Sequence, residues 1–222
     1  NVSENLVQDV LKAPYLSINS KFDFIVIGSG PGGAVSAREL QKAGFNVCIL
    51  ESGQRIDDGV GPFSYNEMMN KYKHAGITTT LGNANITYVE GATFGGGSEI
   101  NSGLYHRTPE EVLNHWKEKY KLIDSDSNKL EKYFTTVEQA LCISYLPDGQ
   151  IPKASLKLEE GANKLGWEVQ EVPRWFKYDQ NKSGSGQRMT MTRTYLKEYF
   201  NNSGMVYESA KVQSLKKQNG KW

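Results

Sequence analysis

The sequence predicts an α/β fold in which helices cover both faces of a parallel sheet. Within residues 21–53, an apolar run leads into a glycine-rich turn, an amphipathic run and a second apolar run. The first of these runs, residues 22–27, is interrupted only by Asp23, as expected of a strand that helices cover on both sides. A second glycine-rich stretch, residues 90–107, follows later in the chain.

The composition argues against several classes of protein. The 222 residues include 26 basic and 25 acidic side chains, a net charge of +1. This balance predicts no basic surface for nucleic acid or for an anionic membrane. No apolar run approaches the roughly 20 residues of a transmembrane helix. Two isolated cysteines and three dispersed histidines predict neither a disulfide framework nor a metal site. No secretory signal is visible in this chain, which begins at Asn1 and not Met, so the compartment stays unknown and a cytoplasmic location is favoured.

The first glycine-rich turn joins a predicted strand, residues 22–27, to a predicted helix, residues 34–43. Gly28 permits the tight turn out of the strand, and Gly30 lets the main chain approach a pyrophosphate. Gly33 lets the helix lie close to the strand. The amides at the start of the helix, with the positive end of its dipole, would then hold the phosphates.

The next predicted strand, residues 45–50, ends at an acidic residue. Glu51 lies 51 − 28 = 23 residues after Gly28. A carboxylate there can accept hydrogen bonds from both ribose hydroxyls of an adenosine and would repel a 2′-phosphate, which argues against NADP. Strand, glycine turn, helix, strand and acid together predict a dinucleotide-binding unit. The alternative is a glycine-rich turn of an α/β protein that binds nothing.

The second glycine-rich stretch, EGATFGGGSEINSGLYHR, contains three consecutive glycines at residues 95–97. Such a run lets the main chain lie against a flat or anionic ligand and can supply a nest of N–H donors. The alternative is a flexible surface loop. Apolar spacing resumes at once with Ile100, Leu104 and Tyr105, which favours an ordered turn inside the protein.

The remaining segments alternate between helices and strands. Thr108 as N-cap, Pro109 at the first position and acidic residues in the first turn predict the start of a helix. Val112, Trp116 and Tyr120 then recur at helical spacing. The other predicted helices cover residues 6–12, 65–73, 129–142, 154–165 and 194–200. The other predicted strands cover residues 78–80, 86–89, 167–172, 205–208 and 211–215.

The two glycine motifs in this order resemble a known family. DFIVIGSGPGGAVSARELQKAGFNVCILESG, GATFGGGSEINSG, and RTYL at residues 193–196 with the later strand resemble the glucose-methanol-choline (GMC) oxidoreductases, which are FAD-dependent alcohol oxidoreductases. Three glycines followed by Ser and then Asn are most similar to the cholesterol-oxidase-like branch. The resemblance is discontinuous over residues 22–215. It implies a Rossmann-like FAD-binding domain with part of a substrate or cap domain.

The resemblance also implies which residues bind FAD. The first turn would face the pyrophosphate, Glu51 the ribose, and residues 95–98 the part of FAD that leads to its ring system. Asn101 and Gly103 would lie near the isoalloxazine, and the backbone of Val212 near the adenine. Some relatives attach FAD through a histidine where this chain has Ile100, so we expect noncovalent FAD. The implied set is Gly28, Gly30, Pro31, Gly32, Gly33, Glu51, Ser52, Gly95, Gly96, Gly97, Ser98, Asn101, Gly103 and Val212.

By this resemblance the chain is the FAD-binding portion of an oxidoreductase that oxidises a small-molecule alcohol by hydride transfer to FAD. Residues 1–107 would form the FAD-binding domain, residues 108–187 part of the substrate or cap region, and residues 188–222 a truncated return to the FAD-binding domain. The chain stops just after a hairpin-like turn, so we expect an N-terminal fragment whose missing C-terminal half is its partner.

No catalytic residue is assigned in this chain. The family's catalytic His lies near the C-terminal end of a much longer chain, and none of His74, His106 and His115 matches that position. His106 follows the second glycine motif and is the one histidine that could reach the flavin neighbourhood. The alternative function is an NAD- or nucleotide-binding module without redox chemistry, which would not need the second glycine motif.

Overall fold

The computed structural model describes residues 10–12, 21–56, 64–83, 85–124, 126–179 and 186–217. The chain forms two compact units, residues 1–101 with 190–222 and residues 102–189. These boundaries lie at 101/102 and 189/190, whereas the sequence-based division places them at 107/108 and 187/188. Each unit is described by itself below.

The helices and strands are given in chain order. They are β1 (Val10–Lys12), β2 (Phe24–Ile27), α1 (Pro31–Lys42), β3 (Val47–Leu50), α2 (Tyr65–Lys71), β4 (Thr78–Thr79), β5 (Thr87–Tyr88), α3 (Glu110–Tyr120), α4 (Ser127–Ala140), β6 (Ile143–Ser144), α5 (Lys153–Lys164), β7 (Arg174–Lys177), β8 (Gln187–Arg188), α6 (Tyr195–Asn201) and β9 (Met205–Glu208). Short 3₁₀ helices cover Lys73–Gly76, Gly96–Glu99 and Met191–Arg193.

The first unit is built on a four-stranded sheet of order β1-β9-β3-β2. All three pairings are parallel, with Ile27 of β2 opposite Leu50 of β3 and Val206 of β9 opposite Ile49 of β3. The predicted α/β fold with a parallel sheet is therefore confirmed. Because the carboxyl ends of parallel strands meet at one edge, the segments after β2, β3 and β9 come together where open α/β sheets bind their ligands.

The core of the first unit includes the middle of the sheet and residues of α1 and α6. Ile49 and Leu196 are fully buried. The two helices are joined by Arg38 of α1, whose guanidinium lies 4.6 Å from the ring centroid of Tyr195. Arg38 also forms an ion pair with Glu198 at 2.8 Å. The contact of a cation with both an aromatic face and a carboxylate fixes α1 against α6.

The second unit combines α3, α4 and α5 with an antiparallel sheet of order β6-β7-β8. Arg107, in the segment before α3, donates to both carboxylate oxygens of Glu138 at 2.6 and 2.8 Å and to Glu131 at 2.6 Å. The hydroxyl of Tyr105 donates to Glu138 at 2.9 Å. Because both carboxylates belong to α4, this network anchors the segment before α3 to that helix.

The first strand, the start of α3 and the last predicted strand differ from the predictions. Residues 10–12, predicted as the end of a helix over 6–12, form β1, because pairing with β9 outweighs a weak local helical pattern. The rest of that predicted helix lies outside the described residues. α3 has Pro109, and not Thr108, at its N-cap. The predicted strand over 211–215 does not form, and Leu215 is 65% exposed.

The strand predicted over residues 167–172 is also absent, and β7 forms directly after it. Trp167 is 67% exposed, and within the described ranges no neighbouring strand pairs with this segment. An alternating pattern without a partner strand is not sufficient for a strand.

None of the helices in the described residues combines the length and the apolar character that a membrane-spanning helix requires.

Candidate dinucleotide-binding site

The first glycine turn begins at the carboxyl end of β2. Gly28 has a φ of +90°, a left-handed conformation that favours glycine. Its N–H donates to Leu50 O at 2.8 Å, which ties the turn to the end of β3. A Cβ on Gly33 would lie 1.9 Å from Gly28 O and 3.2 Å from Val26 Cγ1. The absence of a side chain at Gly33 therefore lets α1 lie directly on β2, as the glycine spacing predicts.

The N-terminus of α1 presents unpaired backbone donors. Gly30 is the N-cap and Pro31 occupies the first helical position. Ala34 N–H donates to Gly30 O at 2.8 Å, so the amides of Gly32 and Gly33 precede this first bond of the helix. The first turn contains no acidic residue. Free amides and an uncompensated helix dipole together suit an anionic group such as a phosphate.

Glu51, directly after β3, is buried and points back towards this turn. Only 6% of the Glu51 surface is exposed. Oε2 accepts hydrogen bonds from Ser29 N–H at 2.7 Å and from Ser29 Oγ at 2.6 Å. Oε1 accepts from Gly53 N–H at 2.7 Å and from Ser52 Oγ at 3.3 Å. Ser52 is exposed and its bond is the longest, so it is the donor that a ligand hydroxyl can most easily replace.

The second glycine turn lies directly on the first. Gly95 and Gly96 have φ values of +88° and +58°, and a 3₁₀ helix, Gly96–Glu99, follows. A Cβ on Gly96 would lie 2.8 Å from Gly30 Cα. Gly95 N–H donates to Ser29 Oγ at 2.9 Å. The two residues of this bond are 66 positions apart in the chain. The two glycine turns therefore form one continuous surface.

A hydroxyl on the other side fixes the second turn. Ser98 is fully buried, donates from Oγ to Gly95 O at 2.8 Å and accepts from Met191 N–H at 3.0 Å. Thr192 donates to Glu99 Oε1 at 2.9 Å. The segment before α6 thus supports the turn from outside. An ordered turn inside the protein, as predicted from Ile100 onwards, is what the structure contains.

The residues present fit a dinucleotide. Cβ atoms built on Gly28, Gly32 and Gly97 would meet no protein atom within 4 Å, so space for a ligand remains beside both turns. Helix amides suit its pyrophosphate. Glu51 Oε1 suits a ribose hydroxyl in place of Ser52 Oγ, and its buried charge disfavours a 2′-phosphate.

The residues that the resemblance implies are divided between the two units. Those in residues 28–33, 51–52 and 95–98 share this site in the first unit. Asn101 is exposed at the end of that segment, and its N–H donates to Gly97 O at 3.2 Å. Val212 is half-buried and outside any strand. Gly103 belongs to the second unit, where a Cβ would lie 2.4 Å from the Phe176 ring; packing within that unit explains this glycine.

Sequence reasoning missed the residues that join the two motifs. Ser29 occupies the variable position of the glycine pattern, and its hydroxyl is the only signal that could have suggested a role. Gly53 and Gly91 were also missed as contacts. A Cβ on Gly53 would lie 2.6 Å from Ala92 O, and one on Gly91 would lie 2.6 Å from Gly96 O. Both glycines permit the strand ends and the second turn to approach at backbone distance.

His74 belongs to the first unit, and His106 and His115 belong to the second. His74 and His115 are exposed, as predicted. His106 lines a cavity of about 410 Å³ in the second unit, beside Tyr105 and Glu138. Burial and the hydrogen bond to Glu138 raise the pKa of Tyr105 to about 12. Across the described ranges, no group of three or more His, Cys, Asp or Glu side chains is arranged to hold a metal ion.

A family profile and several known sequences match this chain. The family profile described as GMC oxidoreductase matches residues 22–221. An uncharacterized GMC-type oxidoreductase of Sinorhizobium fredii is 33% identical over 163 residues, which are 71% of this chain and 32% of the relative. A long-chain-alcohol oxidase of Arabidopsis thaliana is 31% identical over 154 residues, 68% of this chain and 21% of the relative. The chain thus spans about a third of one relative and a fifth of the other.

Solved structures agree at the level of the fold. Pyridoxine 4-oxidase from Mesorbium loti superposes with a TM-score of 0.63 at 14% identity, over 85% of this chain and 42% of that structure. An FAD-dependent oxidoreductase from Chaetomium thermophilum gives 0.62 at 18% identity, over 84% of this chain and 38% of that structure. The family profile covers both glycine turns and the segment that supports them. The chain therefore belongs to the GMC oxidoreductase family.

Proposed function

We propose that this chain is the FAD-binding portion of a flavin-dependent oxidoreductase that oxidises an alcohol. The observation that carries the proposal is the contact between the two glycine turns, with Gly95 N–H on Ser29 Oγ at 2.9 Å. A nucleotide site needs only the first turn. The second turn extends the surface beyond the pyrophosphate, as a longer ligand such as FAD requires. Membership in the GMC oxidoreductase family supports the same ligand.

Each part of the surface has its own role in this proposal. The amides of Gly32 and Gly33 bind the pyrophosphate. Glu51 accepts a ribose hydroxyl, for which Ser52 Oγ yields its place. The turn at residues 95–98 supports the chain that leads to the flavin ring. Bound flavin supplies the chemistry by accepting a hydride from the carbinol carbon of the substrate.

We propose none of the three histidines of this chain as the base for the substrate's hydroxyl proton. His74 and His115 are exposed, and His106 lies in a cavity of the second unit. We infer that the base belongs to the remainder of the full-length protein, because the chain spans 32% of one relative and 21% of another. The name of the second relative, a long-chain-alcohol oxidase, supports an alcohol as the substrate class.

The flavin is proposed to be noncovalent. Some members of the family that this chain resembles attach FAD through a histidine at the position of Ile100. An isoleucine side chain has no group that can form such a bond. Acid precipitation of the full-length protein should release all of its flavin into the supernatant. Flavin retained in the precipitated protein would contradict a noncovalent attachment.

The test of the function is flavin binding by the full-length protein. Purified protein should be yellow, with absorbance in the flavin bands, and should rebind FAD after its removal. Gly96→Ala should abolish this binding, because the new Cβ would lie 2.8 Å from Gly30 Cα and the φ of +58° disfavours alanine.

Gly161→Ala is the matched control for that substitution. Gly161 lies in α5, and a Cβ there meets no atom within 4 Å, so this variant should bind FAD as the natural protein does. A colourless full-length protein that takes up no FAD would refute the proposal. Tight NAD binding without FAD binding would instead favour a nucleotide-binding module.

A further inference from the structure

The hydroxyl of Ser29 joins two groups that are far apart in sequence. Ser29 is fully buried, its Oγ donates to Glu51 Oε2 at 2.6 Å, and it accepts from Gly95 N–H at 2.9 Å. The direction of both bonds is fixed, because an amide only donates and a carboxylate only accepts. Building on the proposed FAD site, we propose that Ser29 is a positioning residue that couples its nucleotide end to the second glycine turn.

Gly95 is held at both of its peptide groups by buried hydroxyls. Ser29 accepts from its N–H, and Ser98 donates to its carbonyl oxygen at 2.8 Å. Gly95 has a φ of +88° and starts the turn that contacts Gly30 through Gly96. Fixing both ends of a left-handed glycine removes its freedom to reorient before a ligand binds, which is how preorganisation raises affinity.

Removal of the Ser29 hydroxyl would affect the two partners unequally. Glu51 would keep three donors, which are Ser29 N–H at 2.7 Å, Gly53 N–H at 2.7 Å and Ser52 Oγ at 3.3 Å. Gly95 N–H would lose the Ser29 hydroxyl as its acceptor while remaining buried. A buried donor without an acceptor is the costlier loss. The effect of the substitution therefore falls on the second turn, while the carboxylate stays in place.

This inequality predicts a difference between two ligands. ADP carries the adenosine and the pyrophosphate, which the first turn and Glu51 serve. FAD carries the same groups and extends along the second turn. A residue that only supports Glu51 would change the affinities for both ligands by the same factor. A residue that couples the two turns changes the affinity for FAD more than the affinity for ADP.

The experiment compares dissociation constants of flavin-free full-length protein for FAD, by quenching of flavin fluorescence, and for ADP, by calorimetry. Ser29→Ala should raise the constant for FAD roughly tenfold and leave that for ADP within about threefold. Ser52→Ala removes the other hydroxyl that contacts Glu51 and does not touch Gly95, so it should change both constants by one common factor. Ser29→Thr keeps the hydroxyl and should restore the FAD affinity.

Two outcomes would overturn the proposal. Equal losses for FAD and ADP in Ser29→Ala would mean that Ser29 acts only through Glu51, and unchanged FAD affinity would mean that it positions nothing. Natural protein that binds no FAD would instead refute the proposed function. If circular dichroism shows that Ser29→Ala is unfolded, Ser98→Ala is measured instead, because it removes the hydrogen bond to the carbonyl oxygen of Gly95. A larger loss of affinity for FAD than for ADP in this variant would support the coupling. Equal losses of affinity for the two ligands would overturn it.

Discussion

The hydroxyl of Tyr199 donates a hydrogen bond to Val47 O at 2.7 Å, although 152 residues separate the two. The same oxygen accepts from Met205 N–H at 3.1 Å. One fully buried phenol thus connects α6 to the first residues of both β3 and β9. A Cβ on Gly204 would lie 2.3 Å from the Tyr199 ring, so the glycine before β9 makes room for this contact. Burial raises the pKa of Tyr199 well above its usual value, which keeps the phenol protonated as a donor.

Tyr199→Phe is expected to destabilise the protein without changing its fold. The substitution preserves the ring but leaves Val47 O and Met205 N–H without this partner. Leaving buried polar groups unsatisfied costs about 1–3 kcal/mol. The free energy of unfolding, measured by urea denaturation of the full-length protein, should fall by this amount. Tyr65→Phe is the control, because Tyr65 is 75% exposed and should change stability by less than about 0.5 kcal/mol. Equal effects of the two substitutions would contradict the role of the Tyr199 bonds.

Glu198 gives the first unit an acid-sensitive contact. Its carboxylate forms ion pairs with Lys42 at 2.9 Å and with Arg38 at 2.8 Å. The ammonium of Lys42 is the main cause that holds the pKa of Glu198 below its usual value; burial opposes it, and Arg38 adds to it. A lowered pKa in the folded state stabilises the protein above the unfolded pKa. That stabilisation is lost as the pH falls through the folded value.

Glu198→Gln should therefore lower the melting temperature at pH 7 and have little effect at a pH below the folded pKa. Because the side chain is 42% exposed, the loss at pH 7 should not exceed about 1 kcal/mol, and added salt should reduce it. Glu159→Gln is the control, since Glu159 is exposed on α5 and forms no ion pair among the described residues. A difference between Glu198→Gln and the natural protein that persists undiminished in acid would contradict the ion-pair explanation.

The sequence was sufficient for the parts of the fold that depend on local signals. Gly28, Gly30 and Gly33 mark the turn, apolar runs mark β2 and β3, and Glu51 marks the end of the second strand. Each of these signals lies within the segment that it describes. The parallel pairing of β2 with β3 follows from the short helical connection between them. The sequence therefore predicted the strand–helix–strand unit.

The remainder depended on partners that are distant in the chain. The role of Ser29 requires Gly95, which no local pattern connects to it. β1 forms because β9 lies beside it, and the alternating segment at residues 167–172 forms no strand because no described strand pairs with it. In each case the local structure depends on whether a contact with a distant segment forms in the folded chain. Local propensity cannot predict such a contact.

Cys48 should be unreactive in the native protein. It is 1% exposed in β3, and burial raises the pKa of its thiol to about 11. Because the thiolate is the reactive species, alkylation at pH 8 should leave Cys48 unmodified and label the half-buried Cys142. Peptide mapping by mass spectrometry would measure both sites in the full-length protein. In urea the two cysteines should react at similar rates, and rapid native labelling of Cys48 would contradict its burial.

Alanine substitutions at two neighbouring glycines of the first turn should have opposite effects on the free energy of unfolding. A Cβ on Gly33 would lie 1.9 Å from Gly28 O and 3.0 Å from Gly28 C. Both atoms are backbone, so relief would require α1 to move away from β2. Gly33→Ala should therefore cost about 3 kcal/mol or more, at or beyond the upper end for overpacked sites. A Cβ on Gly32 would meet nothing within 4 Å, and alanine favours a helix by up to about 1 kcal/mol over glycine. Urea denaturation of the flavin-free full-length protein should show Gly32→Ala at least as stable as the natural chain. If both substitutions destabilised it equally, the loss would come from the turn conformation and not from the contact between α1 and β2.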